Sequence, residues 1–131
     1  MALKQETELV ATLYTELAQI YEENGHLPRQ IDALHNLGSI HRWENDLDAA
    51  ERCYRKALVL SQGASETSQA FSNLNVGLLL ILKGQILAAA DFTAPVLTTA
   101  LKLNNPLLEA AARAVSLCVD CETRNWESVN L

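Results

Sequence analysis

Residues 35–53 gather His35, His41 and Cys53 around the carboxylates Asp46, Asp48 and Glu51. Imidazole, thiolate and carboxylate are the ligands that hold zinc, and a thiol beside an imidazole is the usual nucleophile and base pair. Spacing speaks against both. On a helix, six residues turn His35 and His41 roughly 120° apart, so they cannot clamp one ion as an i, i+4 pair does. Asp46, Asp48 and Glu51 fall on the opening turn of the next helix, where negative charge complements the helix dipole. Cys118-Val-Asp-Cys121 is a single CxxC without the second ligand pair a structural zinc needs and without the strand–helix–strand setting of a redox pair. Catalytic residues, a metal and a cofactor are therefore not expected.

The elements that position these residues are helices. Ala and Leu abound while Pro and Gly together number eight of 131 residues, which favours helix over strand. Breaks fall at Gly25-His26-Leu27-Pro28, Glu44-Asn45-Asp46, Ser61-Gln62-Gly63, Lys83-Gly84-Gln85, Asn104-Asn105-Pro106 and Arg124-Asn125. Apolar residues between them recur at three- and four-residue spacing, as in Leu13, Leu17, Ile20 and Tyr21, the mark of a helix with one buried face. Helices are predicted over about 3–24, 28–43, 46–61, 65–83, 85–103 and 106–123, with another starting at 125. Asp46 suits an N-cap and Pro106 a first turn, whereas Pro95 predicts a kink or break near Ala94.

A formal charge of −6 argues against a nucleic-acid surface, which needs clustered Lys and Arg. The longest apolar run, Val76 to Leu82, falls far short of the ~20 residues that span a bilayer. Three cysteines and the absence of a basic-then-apolar leader point to reduced thiols and a cytoplasmic setting.

The chain also repeats itself. Ala33-Leu34-His35-Asn36-Leu37 is echoed by Ala70-Phe71-Ser72-Asn73-Leu74, and more weakly by Leu13-Tyr14-Thr15-Glu16-Leu17-Ala18. Helix pairs recurring every 35 to 40 residues describe an α-solenoid, in which each pair buries its apolar face against its neighbours. Leu34-x-x-Leu37-Gly38, the turn Asn45-Asp46-Leu47, Ala50, Tyr54 and Ala57-Leu58 resemble one tetratricopeptide repeat. Tyr14, Leu17, Ala18, Tyr21 and Gly25, and likewise Phe71, Leu74, Leu78 and Ala88 to Ala90, resemble partial copies. His41, Asn45 and Asn75 depart from the pattern. The first and second helices both resemble the opening helix of a pair, although a solenoid alternates.

The resemblance implies an all-α, right-handed superhelix of about six to seven helices in one domain over 1–131. Because Trp126 to Leu131 reads as a helix barely begun, the chain is expected to be part of a longer protein. The family's function, protein–protein interaction without catalysis, follows as an expectation. Its concave face would comprise Thr12, Thr15, Gln19 and Glu22 on the first helix and Asp32, His35, Asn36, Ser39 and Arg42 on the second. On the fourth it would comprise Gln69, Ser72, Asn73, Val76 and Leu79. Residues 64–106 carry only Glu66, Lys83, Asp91 and Lys102 as charges, so the fourth and fifth helices are apolar on more than one face. Leu79, Leu80 and Ile81, with Ile86 and Leu87, thus offer an alternative, homodimerisation. A metal or redox protein built on the histidines or the CxxC is the third reading, with the spacing against it.

Overall fold

The computed structural model describes residues 2–129, with side chains described over 3–124. These residues form six helices: α1 (Ala2–Glu23), α2 (Leu27–Trp43), α3 (Leu47–Ser61), α4 (Glu66–Leu82), α5 (Ile86–Lys102) and α6 (Pro106–Val129). The count and order match the sequence reading up to residue 123. Beyond it, α6 runs unbroken through Arg124-Asn125, so the break and new helix expected at 125 do not occur. Neither residue carries the fixed φ of Pro or the entropy cost of Gly, so nothing there stops a helix. α5 likewise continues through Pro95, whose ring lies on the exposed side.

Four of the five connections are one motif. Gly25, Asn45, Gly84 and Asn104 have φ of +68°, +64°, +79° and +55°, and the amide after each reaches back five residues. His26 N donates to Tyr21 O, Asp46 N to His41 O and Gln85 N to Leu80 O, each at 2.8 Å, and Asn105 N to Ala100 O at 3.0 Å. Such left-handed residues satisfy the orphan carbonyls of a helix end and turn the chain sharply. Capping follows at once in two of the helices: Asp46 accepts from Ala49 N at 3.2 Å and Asn105 from Leu108 N at 3.1 Å. The α3–α4 connection has no left-handed residue; the amides of Gln62, Gly63 and Ala64 each bond three residues back, and Ser65 then caps α4.

Each helix packs on the next, and in addition α2 packs on α4 and α4 on α6, while the odd-numbered helices meet through side chains alone, as where Lys56 lies 3.9 Å from Glu22 and Arg55 lies over the Phe92 ring. One layer is therefore α2, α4 and α6, and the other α1, α3 and α5. This settles the alternation: α1 is an outer-layer helix, although its sequence resembles an inner one.

The core runs through the layers as three linked clusters. Ala18, Ile31, Ala33, Leu34 and Ala57 join α1, α2 and α3. Ala50, Tyr54, Val76, Leu79, Leu80 and Ala89 join α3, α4 and α5. Ala70, Leu74, Val96, Ala100, Leu108, Ala112 and Val115 join α4, α5 and α6. Two glycines set the closest approaches. A Cβ on Gly38 would sit 2.6 Å from Tyr54 Cε1, and one on Gly77 would overlap Thr93 Cγ2. Gly38 and Gly77, Tyr54 and Thr93, Ala50 and Ala89, and Asn45 and Gly84 are all 39 residues apart, which fixes the structural repeat at 39.

Candidate functional site: the groove between α2 and α4

The 39-residue register corrects the sequence reading of α4. The echo of Ala33–Leu37 in Ala70–Leu74 is a spacing of 37, and a two-residue slip on a helix rotates the chosen face by roughly 200°. Ser72, Val76 and Leu79, expected to meet a partner, are accordingly 0% exposed. Under the correct register Asp32, Asn36, Ser39 and Arg42 of α2 correspond to Phe71, Asn75, Leu78 and Ile81 of α4. Gln69 and Asn73 lie on another flank of α4, in a groove shared with Pro95, Thr99 and Lys102.

On α1, Thr15 and Gln19 do not face this side either. With Glu22, Glu23 and Lys56 they line a groove between α1 and α3 that is floored by Leu34 and Leu37. This position follows from the place of α1 in the outer layer.

Of the α2 residues, two are engaged inside the molecule. His35 Nε2 lies 2.9 Å from Ser72 Oγ across the α2–α4 contact. Ser39 Oγ donates to His35 O at 2.9 Å, which leaves its lone pairs to accept from the Tyr54 hydroxyl, also at 2.9 Å. Either the imidazole or the Ser72 hydroxyl can donate in this bond, according to the His35 tautomer. Burial lowers the His35 pKa below the ordinary 6.5, against an opposing pull from Asp32. This histidine joins the α2–α3 repeat to the next. Asp32 and Asn36 are exposed, along a shallow groove between α1 and α2 with Tyr14 and Leu17.

The residues that do come together are Ser39, Arg42 and Trp43 from α2 and Leu78, Ile81 and Leu82 from α4, around a groove of about 460 Å³. Trp43 is 79% exposed and Leu82 56%. They end their helices 39 residues apart, so each repeat presents one large apolar side chain at the same edge. A period of 39 applied to Trp43 would have found Leu82; the period of 37 passed over it. The Arg42 guanidinium, half-buried beside this apolar wall, makes no ion pair among the described residues.

Residues 31–64, which span α2 and α3, match the family model of the tetratricopeptide repeat. The match and the paired helices fit a tetratricopeptide-like repeat protein. No curated protein matches the chain. Within this tetratricopeptide-like frame Leu34, Leu37, Gly38, Ala50, Tyr54 and Ala57 are all buried.

The residues that first suggested chemistry are spread through the frame. Cys53 is half-buried on α3, and burial raises its thiol pKa, away from the reactive thiolate. Cys118 and Cys121 are exposed on α6. No group of three or more His, Cys, Asp or Glu among the described residues could hold a metal ion. Asp48 and Glu51 accept from Lys83 Nζ at 2.9 and 2.8 Å, and Glu51 accepts from Arg55 Nε at 2.7 Å. Those hydrogen bonds lower both carboxylate pKa values and raise that of Lys83. The carboxylate cluster thus ties α3 to the end of α4. Of the apolar surface on α4 and α5 expected to pair with a second copy, Leu79 and Leu80 are interior at 0% and 2% exposed, whereas Ile81 lines the α2–α4 groove and Leu87 is 69% exposed. No helix among the described residues is long and apolar enough to cross a membrane.

Proposed function

We propose that the chain is a protein–protein interaction module, without catalysis of its own and working in the cytoplasm, that seats an apolar segment of a partner protein between α2 and α4. One observation supports this most: Trp43 and Leu82 stand exposed at the mouth of a groove whose wall is Leu78 and Ile81. Large apolar side chains left open around a concave site are the anchors on which partner binding concentrates. The repeat family adds that such helix pairs serve as interaction scaffolds.

The test is selection of binding peptides from a random library on the wild-type chain, followed by titration against Trp43→Ser/Leu82→Ser. Both side chains are exposed, so the variant keeps its helical spectrum. Loss of about tenfold or more in affinity is expected, the size of one interface hot spot. Peptides that bind the folded variant undiminished place recognition elsewhere and overturn the reading.

A further inference from the structure

We propose that α1 is a self-association helix, pairing antiparallel with α1 of a second copy. Only one face of α1 is used within the chain: Tyr14, Ala18 and Tyr21 pack against α2. Leu3, Leu9, Val10, Leu13, Leu17 and Ile20 are each between 37% and 68% exposed. An inner-layer helix is covered from several sides, whereas α1 packs along α2 and meets α3 only toward its C-terminal end, where Glu22 lies 3.9 Å from Lys56 Nζ.

The spacing of the open residues names the kind of partner. Leu3, Val10 and Leu17 are seven apart, and so are Leu13 and Ile20, each three residues after one of the first set. This is the a and d pattern of a helix that packs lengthwise on another helix, not the broader stripe of one lying on a globular core. The apolar part of the face is on the order of 500 Å², near the upper limit of what a monomer leaves open. Along a helix of 22 residues, and with its polar rim, it approaches the roughly 800 Å² per partner of a stable interface. A face that repeats its own pattern is self-complementary, as a two-fold dimer requires.

The charges set the direction. Glu6 occupies the d position between Leu3 and Val10. A parallel pair would place the two Glu6 carboxylates against each other in the seam. An antiparallel pair opposes Leu3 with Ile20, Val10 with Leu13 and Glu6 with Leu17 of the other copy. It also sets Glu16 beside Leu9 and keeps like charges apart. Val10 shares a cavity with Ser39 and Trp43 of the α2–α4 groove, but the proposal does not rest on the reading above, and the two are separated by their variants, Leu13 and Leu17 here and Trp43 and Leu82 there.

Sedimentation equilibrium tests it. The wild type is expected to be a dimer at about 50 μM, and Leu13→Glu/Leu17→Glu, helical by circular dichroism, a monomer weakened about a hundredfold or more. Leu13→Gln/Leu17→Gln, which adds no charge, is expected to dissociate as well. Orientation is read from spin labels in a chain with its three cysteines replaced by alanine. Labels at Thr12 lie close together across an antiparallel dimer, and labels at Gln5 roughly 20 Å further apart. A wild-type chain that stays monomeric at about 300 μM, or a dimer that both folded variants retain, overturns the proposal, and equal label separations at the two positions overturn the antiparallel arrangement.

Discussion

The α2–α3 and α4–α5 pairs solve one packing problem with different chemistry. Both bring a glycine on the inner helix over a side chain of the outer one. In the first pair that side chain is Tyr54, 0% exposed, with its hydroxyl on Ser39. In the second it is Thr93, whose hydroxyl bonds its own helix at Ala89 O, 3.1 Å away. Backbone geometry repeats at 39 residues while the chemistry of the contact does not. What a solenoid must keep is the distance between its helices, and the small residues set that distance. The side chains around them are free to become polar, as at His35 and Ser39, or apolar, as at Leu74 and Leu78.

The strongest way to break this comparison is at the side chain beneath the glycine. Tyr54→Ala empties the centre of the first pair and is expected to cost about 3–5 kcal/mol in urea denaturation, as large-to-small changes of buried aromatics do. Thr93→Ala removes far less volume and is expected to cost no more than about 2 kcal/mol. Equal losses would mean that the two pairs share the load evenly.

Next come the glycines themselves. Gly38→Ala and Gly77→Ala each force an overlap and are expected to destabilise by about 1–3 kcal/mol, despite the better helix propensity of alanine. The sharper result is the rescue. Thr93→Ala should recover most of the Gly77→Ala loss, because it removes the overlapping methyl. Tyr54→Ala cannot rescue Gly38→Ala, because the cavity it leaves outweighs the relief. A double-mutant cycle measures both.

A third test concerns the polar seam that only the first pair has. Burial lowers the His35 pKa in the folded chain, so the unfolded chain binds its proton more readily. Stability from this group is fully present above the ordinary pKa of 6.5 and is lost as pH falls below it. Thermal melts between about pH 7.5 and about pH 5.5 should show this decline, and a smaller one in His35→Gln. An unchanged slope would remove His35 as its source. Ser72→Ala, read at neutral pH, is expected to cost about 1 kcal/mol.

The smallest effect lies in the turns. Asn45 and Gly84 occupy equivalent left-handed positions. Asn45→Gly relieves a mild backbone cost and is expected to stabilise by a few tenths of a kcal/mol, whereas Gly84→Ala should destabilise by about 1 kcal/mol.

How much of this was legible in the sequence depends on how local the signal was. Helix boundaries were, because Gly25, Asn45-Asp46, Gly84 and Asn105-Pro106 declare turns and caps by their own chemistry. The complete repeat at residues 31–64 was, because its large and small positions fall on α2 and α3 in order. The register of α4 was not. Ala70-Phe71-Ser72-Asn73-Leu74 imitates Ala33–Leu37 as any amphipathic helix can, and the decisive pair, Gly38 and Gly77, shows its meaning only once Tyr54 and Thr93 are seen beneath them. The layer of α1 was hidden for the same reason: its face pattern is that of a packed helix, and only contact between distant elements says which neighbour it lacks. The groove residues Trp43 and Leu82 followed the register and were missed with it.

The connection between α3 and α4 carries a mechanical consequence. Every other turn is locked by a left-handed residue and a five-residue hydrogen bond, but Gln62 to Ser65 is not. The chain is thus two three-helix blocks joined at their least locked link. Apart from apolar packing, that joint is held by Arg55 over the Phe92 ring, by His35 on Ser72 and by Lys83 on Asp48 and Glu51; the last two weaken with acid and with salt. Stretched from its ends, such a spring is expected to open at the middle first, and more easily in acid and in salt.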